Sequence, residues 1–96
     1  MEVQDIIRSV SSIVKKHLPA DSYSVMLFGS QARGDAYSTS DVDIAIVGDS
    51  PVPFRTMTEI LEEKDAIPTL RKIDIVDLRS ADAPFRESIL SYAKRI

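Results

Sequence analysis

The chain has 96 residues, 44% of them hydrophobic and 28% charged, and a formal net charge of −3. This fits one ordinary globular domain of modest core, expected to fill residues 1–96, and it argues against a nucleic-acid-binding module built on a basic surface. There is no cysteine and only one histidine, which excludes disulfides, thiolate metal sites, cysteine nucleophiles and any His-based triad. No apolar run approaches the ~20 residues needed to cross a bilayer, and the early acids Glu2 and Asp5 do not suit a signal peptide. A cytoplasmic location is therefore expected.

Residues 3–18 place Val3, Ile6, Ile7, Val10, Ile13, Val14 and Leu18 at helical spacing, which predicts an amphipathic helix that Pro19 ends. Tyr23 to Phe28 read as a strand bounded by Gly29. Residues 30–40 are small and polar, with one short helical turn expected near Gln31–Arg33. Residues 41–47 alternate, so that Val42, Ile44 and Ile46 point one way and Asp41 and Asp43 the other. After a loop with two prolines, Phe54 to about Lys64 predict a helix with Phe54, Met57, Ile60 and Leu61 on one face. Residues 72–78 predict a third strand, and Pro84 opens a last helix carrying Phe85, Ile89, Leu90, Ala93 and Ile96. Strands alternating with helices imply a two-layer α/β domain with a small mixed sheet and helices packed on it.

The chemistry concentrates in residues 28–44. Gly29 ends a strand without a Cβ, so the backbone there can take a positive φ and approach a ligand closely. The amides of Ser30 and Gln31 and the Ser30 hydroxyl are candidate phosphate donors. By itself, a Gly-Ser pair is an ordinary turn. Asp41 and Asp43 share one strand face, roughly 6.5–7 Å apart at Cα, where they can converge on a cation. Magnesium suits such hard oxygen ligands and fills its shell with water and substrate phosphates. An isolated Asp-x-Asp is usually just a solvated strand face, but aspartate is disfavoured in strands and two side by side need compensating charge.

Asp74, between Ile73 and Ile75, is a third candidate if its strand lies beside residues 41–47. It would hold metal near an attacking hydroxyl and help accept its proton. Asp77 is expected to cap the following loop. Three carboxylates suffice for two metals roughly 3.5–4 Å apart, the arrangement that stabilises attacking and leaving oxygens in an in-line displacement. Arg33 could offset phosphate charge or pair with Asp35. His17 reads as a helix-end dipole contact or an exposed residue. Tyr37 reads as loop packing or a base-stacking ring. Lys15-Lys16 and Arg71-Lys72 read as solvated charge, and Glu59, Glu62, Glu63 and Asp65 as the polar face of the middle helix.

The run Gly29-Ser30, ten residues, Asp41-Val42-Asp43 resembles the signature of the nucleotidyltransferase superfamily that includes DNA polymerase beta. Gly29-Ser30-Gln31-Ala32-Arg33-Gly34-Asp35 is similar to the minimal nucleotidyltransferases, and Lys72-Ile73-Asp74-Ile75-Val76 and Phe85-Arg86-Glu87-Ser88-Ile89-Leu90 resemble their third-acid strand and final helix. The resemblance implies Asp41, Asp43 and Asp74 as catalytic metal ligands and Gly29, Ser30 and Arg33 as contacts to the nucleotide. It implies Mg²⁺ as metal, ATP as donor, and a HEPN-domain toxin as partner. In such pairs the nucleotidyltransferase is the antitoxin and transfers AMP to a tyrosine of the toxin. With no second domain expected, a partner protein would complete the acceptor site or be the acceptor. Two other readings stay open: an antitoxin that only masks its partner, and a small-molecule nucleotidyltransferase, which usually carries an extra substrate domain.

Overall fold

A computed structural model of the chain describes residues 1–37 and 40–96. The part of the 30–40 loop reading that concerns Ser38 and Thr39 lies outside the described residues. The first helix, α1, runs Val3–His17, with Glu2 and Asp5 forming a reciprocal capping box at its start. Its apolar stripe is buried at Ile6, Ile7, Val10 and Val14, and extended backbone at Leu18, before Pro19, stops it.

Strand β1, Tyr23–Phe28, pairs antiparallel with β2, Val42–Gly48. Between them α2, Ser30–Arg33, is a single helical turn. Helix α3, Phe54–Asp65, carries the chain over to β3, Ile73–Asp77, which lies parallel to β2. Parallel neighbours need such a crossover. Helix α4, Ala83–Leu90, is capped by the Asp82 side chain and has proline in its first turn. The sheet is mixed, as expected, in the order β3-β2-β1-β4.

The alternation read in β2 sorts the two faces. Val42, Ile44 and Ile46 are fully buried, together with Ile6, Val10 and Ile60 of α1 and α3. On the opposite face, Phe28 and Ala45 form a smaller core with Leu78 and Ile89. Asp43 faces this second side, because it stands opposite Phe28 in the register.

Several expectations change. The last helix stops at Leu90, and Lys94–Arg95 form a fourth strand, β4, antiparallel to β1. Ala93 and Ile96 therefore do not extend a helical stripe; the Ile96 amide bonds to the Val25 carbonyl, 3.0 Å away, and its side chain packs on the main core. Phe54, the first residue of α3, is exposed rather than on the core face where Ile60 is buried. His17 is neither free nor only a dipole contact: its ring bonds Glu63 and lies 3.4 Å from Glu59, tying α1 to α3. Lys16 also bonds Glu63, so part of the acidic face of α3 is an inter-helix ion network. Tyr37 is exposed instead of packing its loop.

Candidate active site

Gly29 joins the two halves of the site. Its backbone takes φ 71° and ψ −158°, a combination essentially confined to glycine. A Cβ at this position would fall 2.1 Å from Asp43 Oδ2. Thus the turn that ends β1 rests directly against a carboxylate of β2, and both its conformation and its closeness require glycine. The turn continues into α2, where Ala32 and Arg33 amides return to the Gly29 carbonyl at 3.1 Å. The Ser30 and Gln31 amides take no partner among the described residues. Gly34, at φ 84° and ψ 12°, closes the turn in the left-handed conformation.

The parallel register sets Asp43 beside Asp74, and Asp41, two residues before Asp43, projects to the same side. Oxygens of Asp41, Asp43 and Asp74 lie within 4.8 Å of one another. The condition placed on Asp74, that β3 neighbour β2, is met. Burial raises the pKa of Asp43 most, followed by the charges of Asp74 and Asp41 and a hydrogen bond with Asp74, while Lys72 lowers it. Lys72 Nζ stands 3.8 Å from Asp74 Oδ2, so it offsets only part of the repulsion. An all-oxygen donor set that repels itself and is half open to solvent suits a hard divalent cation.

Arg33 reaches Asp35 at 3.5 Å, the structural role weighed for it. It also donates from Nη1 to the Tyr92 hydroxyl at 3.3 Å and lies over that ring, 5.5 Å from its centroid. The same hydroxyl accepts from the Gly29 amide at 3.0 Å. Asp77 caps the turn after β3 as expected: it accepts from the Arg79 amide at 3.2 Å and the Ser80 hydroxyl at 2.8 Å, and also from the Val52 amide at 2.9 Å. It takes no part in the acidic cluster.

Three residues were missed from the sequence. Lys72 and Arg71 are not merely solvated: Lys72 faces Asp74 across an i, i+2 strand spacing, a signal that was available, and Arg71 Nη1 donates to the Ser40 carbonyl at 3.0 Å, bracing the segment before Asp41. Tyr92 stands 63 residues from Gly29, and no local pattern connects them.

A cavity of about 300 Å³ opens beside Asp74, walled by Lys64, Thr69, Arg71 and Lys72 among others. A larger one of about 730 Å³ along residues 65–71 includes none of the three acids, so volume does not mark the site; the converging carboxylates do.

A small mixed sheet flanked by helices, with a glycine turn set against an acidic cluster, defines the class of this chain as a nucleotidyltransferase domain. The family model described as Polymerase beta, Nucleotidyltransferase matches residues 9–96, and the chain belongs to that family. Among relatives, a Haemophilus influenzae protein named "probable protein adenylyltransferase MntA" is 30% identical over 80 residues, covering 83% of this chain and 68% of that protein. A crystal structure of a toxin–antitoxin with AMP-PNP contains a chain of the same fold, with a TM-score of 0.71, 24% identity, and coverage of 92% of this chain and 69% of that one. So does a complex of tri-AMPylated Shewanella oneidensis HEPN toxin with MNT antitoxin, with a TM-score of 0.66, 22% identity, and coverage of 96% and 69%. No helix among the described residues is long and apolar enough to cross a membrane.

Proposed function

We propose that this nucleotidyltransferase transfers AMP from ATP to a hydroxyl, a tyrosine's by preference, of a HEPN-type toxin, and so acts as its antitoxin. The observation that carries the reading is the convergence of Asp41, Asp43 and Asp74 within 4.8 Å, directly against the Gly29 turn. The relative named as a probable protein adenylyltransferase, the AMP-PNP complex and the AMPylated toxin of the related systems support the choice of nucleotide and partner.

In this reading the acceptor oxygen attacks the α-phosphorus of ATP, the bond to the β-phosphate oxygen breaks, and pyrophosphate leaves. Asp41, Asp43 and Asp74 would hold divalent metal, Mg²⁺ by preference, which would supply positive charge against the charge that develops on the reacting phosphate. Asp74, at the outer strand and beside the open cavity, faces the acceptor and takes up its proton. Gly29 lets the backbone pass close to the phosphates, and Ser30 offers its hydroxyl and amide to them. Arg33 supplies positive charge at the far end of the turn, where its guanidinium is half exposed.

The test is incubation of the protein with α-labelled ATP, magnesium chloride and a co-expressed HEPN partner. Label is expected on the partner with the wild type and not with Asp43→Asn. If Asp43→Asn still neutralises the toxin fully and the wild type transfers no label, the enzyme reading fails and masking by complex formation replaces it.

A further inference from the structure

We infer that Tyr92 is a positioning residue for nucleotide phosphates, clamping both ends of the Gly29–Arg33 turn. The inference rests on the assignment of that turn to the nucleotide.

One hydroxyl serves the two ends. It accepts from the Gly29 amide at 3.0 Å and from Arg33 Nη1 at 3.3 Å. The first bond holds the residue whose backbone is in the glycine-only region. The second, with the ring lying under the guanidinium at 5.5 Å, fixes the cation that would otherwise sample many rotamers. The ring itself is seated by packing on the small core of Phe28, Ala45, Leu78 and Ile89. Tyr92 sits between the end of α4 and β4, and its own amide is bonded to the Ile89 carbonyl at 3.2 Å. The chain's last segment thus reaches back to the turn and holds it in one shape before nucleotide arrives, so less ordering remains to be done on binding.

Asp35 holds the same guanidinium from its other side, 3.5 Å from Arg33 Nε. Loss of the Tyr92 hydroxyl would leave Asp35 as the polar partner of Arg33 among the described residues and free the end that points to the turn. Tyr92→Phe removes both hydrogen bonds and keeps the ring, its packing and its contact with the guanidinium.

The experiment measures AMP-PNP binding with magnesium chloride by calorimetry, and transfer kinetics from ATP, on the full chain well below its melting transition. Tyr92→Phe is expected to weaken AMP-PNP binding and raise KM for ATP by about three- to ten-fold, the range for losing one or two such bonds, while kcat stays within about two-fold. In an Arg33→Ala background the further loss from Tyr92→Phe should be smaller, because the shared bond is already gone. A merely structural role would lower the melting temperature and leave Kd and KM at wild-type values, and that result overturns the inference while leaving the proposed function standing. Equal fold losses with and without Arg33 also overturn it. If the wild type itself does not bind AMP-PNP, the assignment of the turn to nucleotide fails first, and the role of Tyr92 fails with it.

Discussion

Replacing Gly29 with alanine adds one methyl group, and its cost can be worked out from two separate features. The backbone at φ 71°, ψ −158° lies where a non-glycine residue is strained by about 1–3 kcal/mol. The added carbon would also sit 2.1 Å from Asp43 Oδ2, so the carboxylate must retreat by an ångström or more. Asp43 cannot retreat with its backbone, because β2 is held on both sides by β1 and β3; its side chain must turn out of the cluster with Asp41 and Asp74. Gly34 supplies the control. It also has positive φ, 84°, but a Cβ there meets nothing within 4 Å, so Gly34→Ala carries only a backbone cost of about 1 kcal/mol. For a domain of this size each kcal/mol moves Tm by about 4–8 °C. Thermal melts should therefore show Gly29→Ala lower by up to roughly 24 °C, with the clash adding to the backbone cost, and Gly34→Ala by roughly 4–8 °C. Calorimetric titration with magnesium chloride at a temperature where both are folded should show weakened binding for Gly29→Ala alone. Equal melting temperatures and equal metal affinity for the two variants would refute the argument that the turn and the acid cluster are one packed unit.

Asp43→Asn should stabilise the protein in EDTA at neutral pH, because the native pKa of Asp43 is raised by burial and by Asp74 and Asp41. The sign follows from linkage: the aspartate's contribution is intact below its unfolded value and is lost as pH rises through the raised native one, so the advantage of the Asp43→Asn variant in urea melts should grow from about pH 4 toward neutrality. Saturating magnesium should reverse the order, adding about 2.7 kcal/mol to the wild type at a hundred-fold excess over Kd. Glu63 behaves oppositely: its pKa is lowered by hydrogen bonds with His17 and then Lys16, so its support of the α1–α3 contact is present above the ordinary carboxylate value and disappears as pH falls through the lowered one. Glu63→Gln should consequently flatten the acid limb of the stability curve, and acid titration followed by circular dichroism reads this. Asp77→Ala strips partners from the Val52 and Arg79 amides and should cost about 2 kcal/mol in urea denaturation, with magnesium affinity unchanged.

Local patterns made much of the architecture legible. Alternation in residues 41–47 marked both the core face and the acidic face of β2, because a strand's period of two leaves no third option. The spacing of Ile6, Val10 and Val14 marked the buried side of α1 in the same way. Asp74 could be read only conditionally, since its value depended on which strand β3 joined, and that is a tertiary fact. The missed features are of that kind as well. Two residues, Lys94 and Arg95, are too few to carry a strand pattern, and their pairing comes from β1. The contacts of His17 with Glu63 and of Tyr92 with Gly29 join residues 46 and 63 positions apart, beyond anything a local period encodes. Helical spacing puts Phe54 on one face with Met57, Ile60 and Leu61, yet at the helix start it is exposed.

The proposed activity is AMP transfer from ATP to a partner's hydroxyl at a site built on Asp41, Asp43 and Asp74. Its most direct measurement is the intact mass of a HEPN partner after co-expression with the wild-type protein and with Asp43→Asn. With the wild type, the partner should gain the mass of one or more AMP groups on tyrosine; with Asp43→Asn, it should gain none. An unmodified but neutralised partner in both cases would contradict the account.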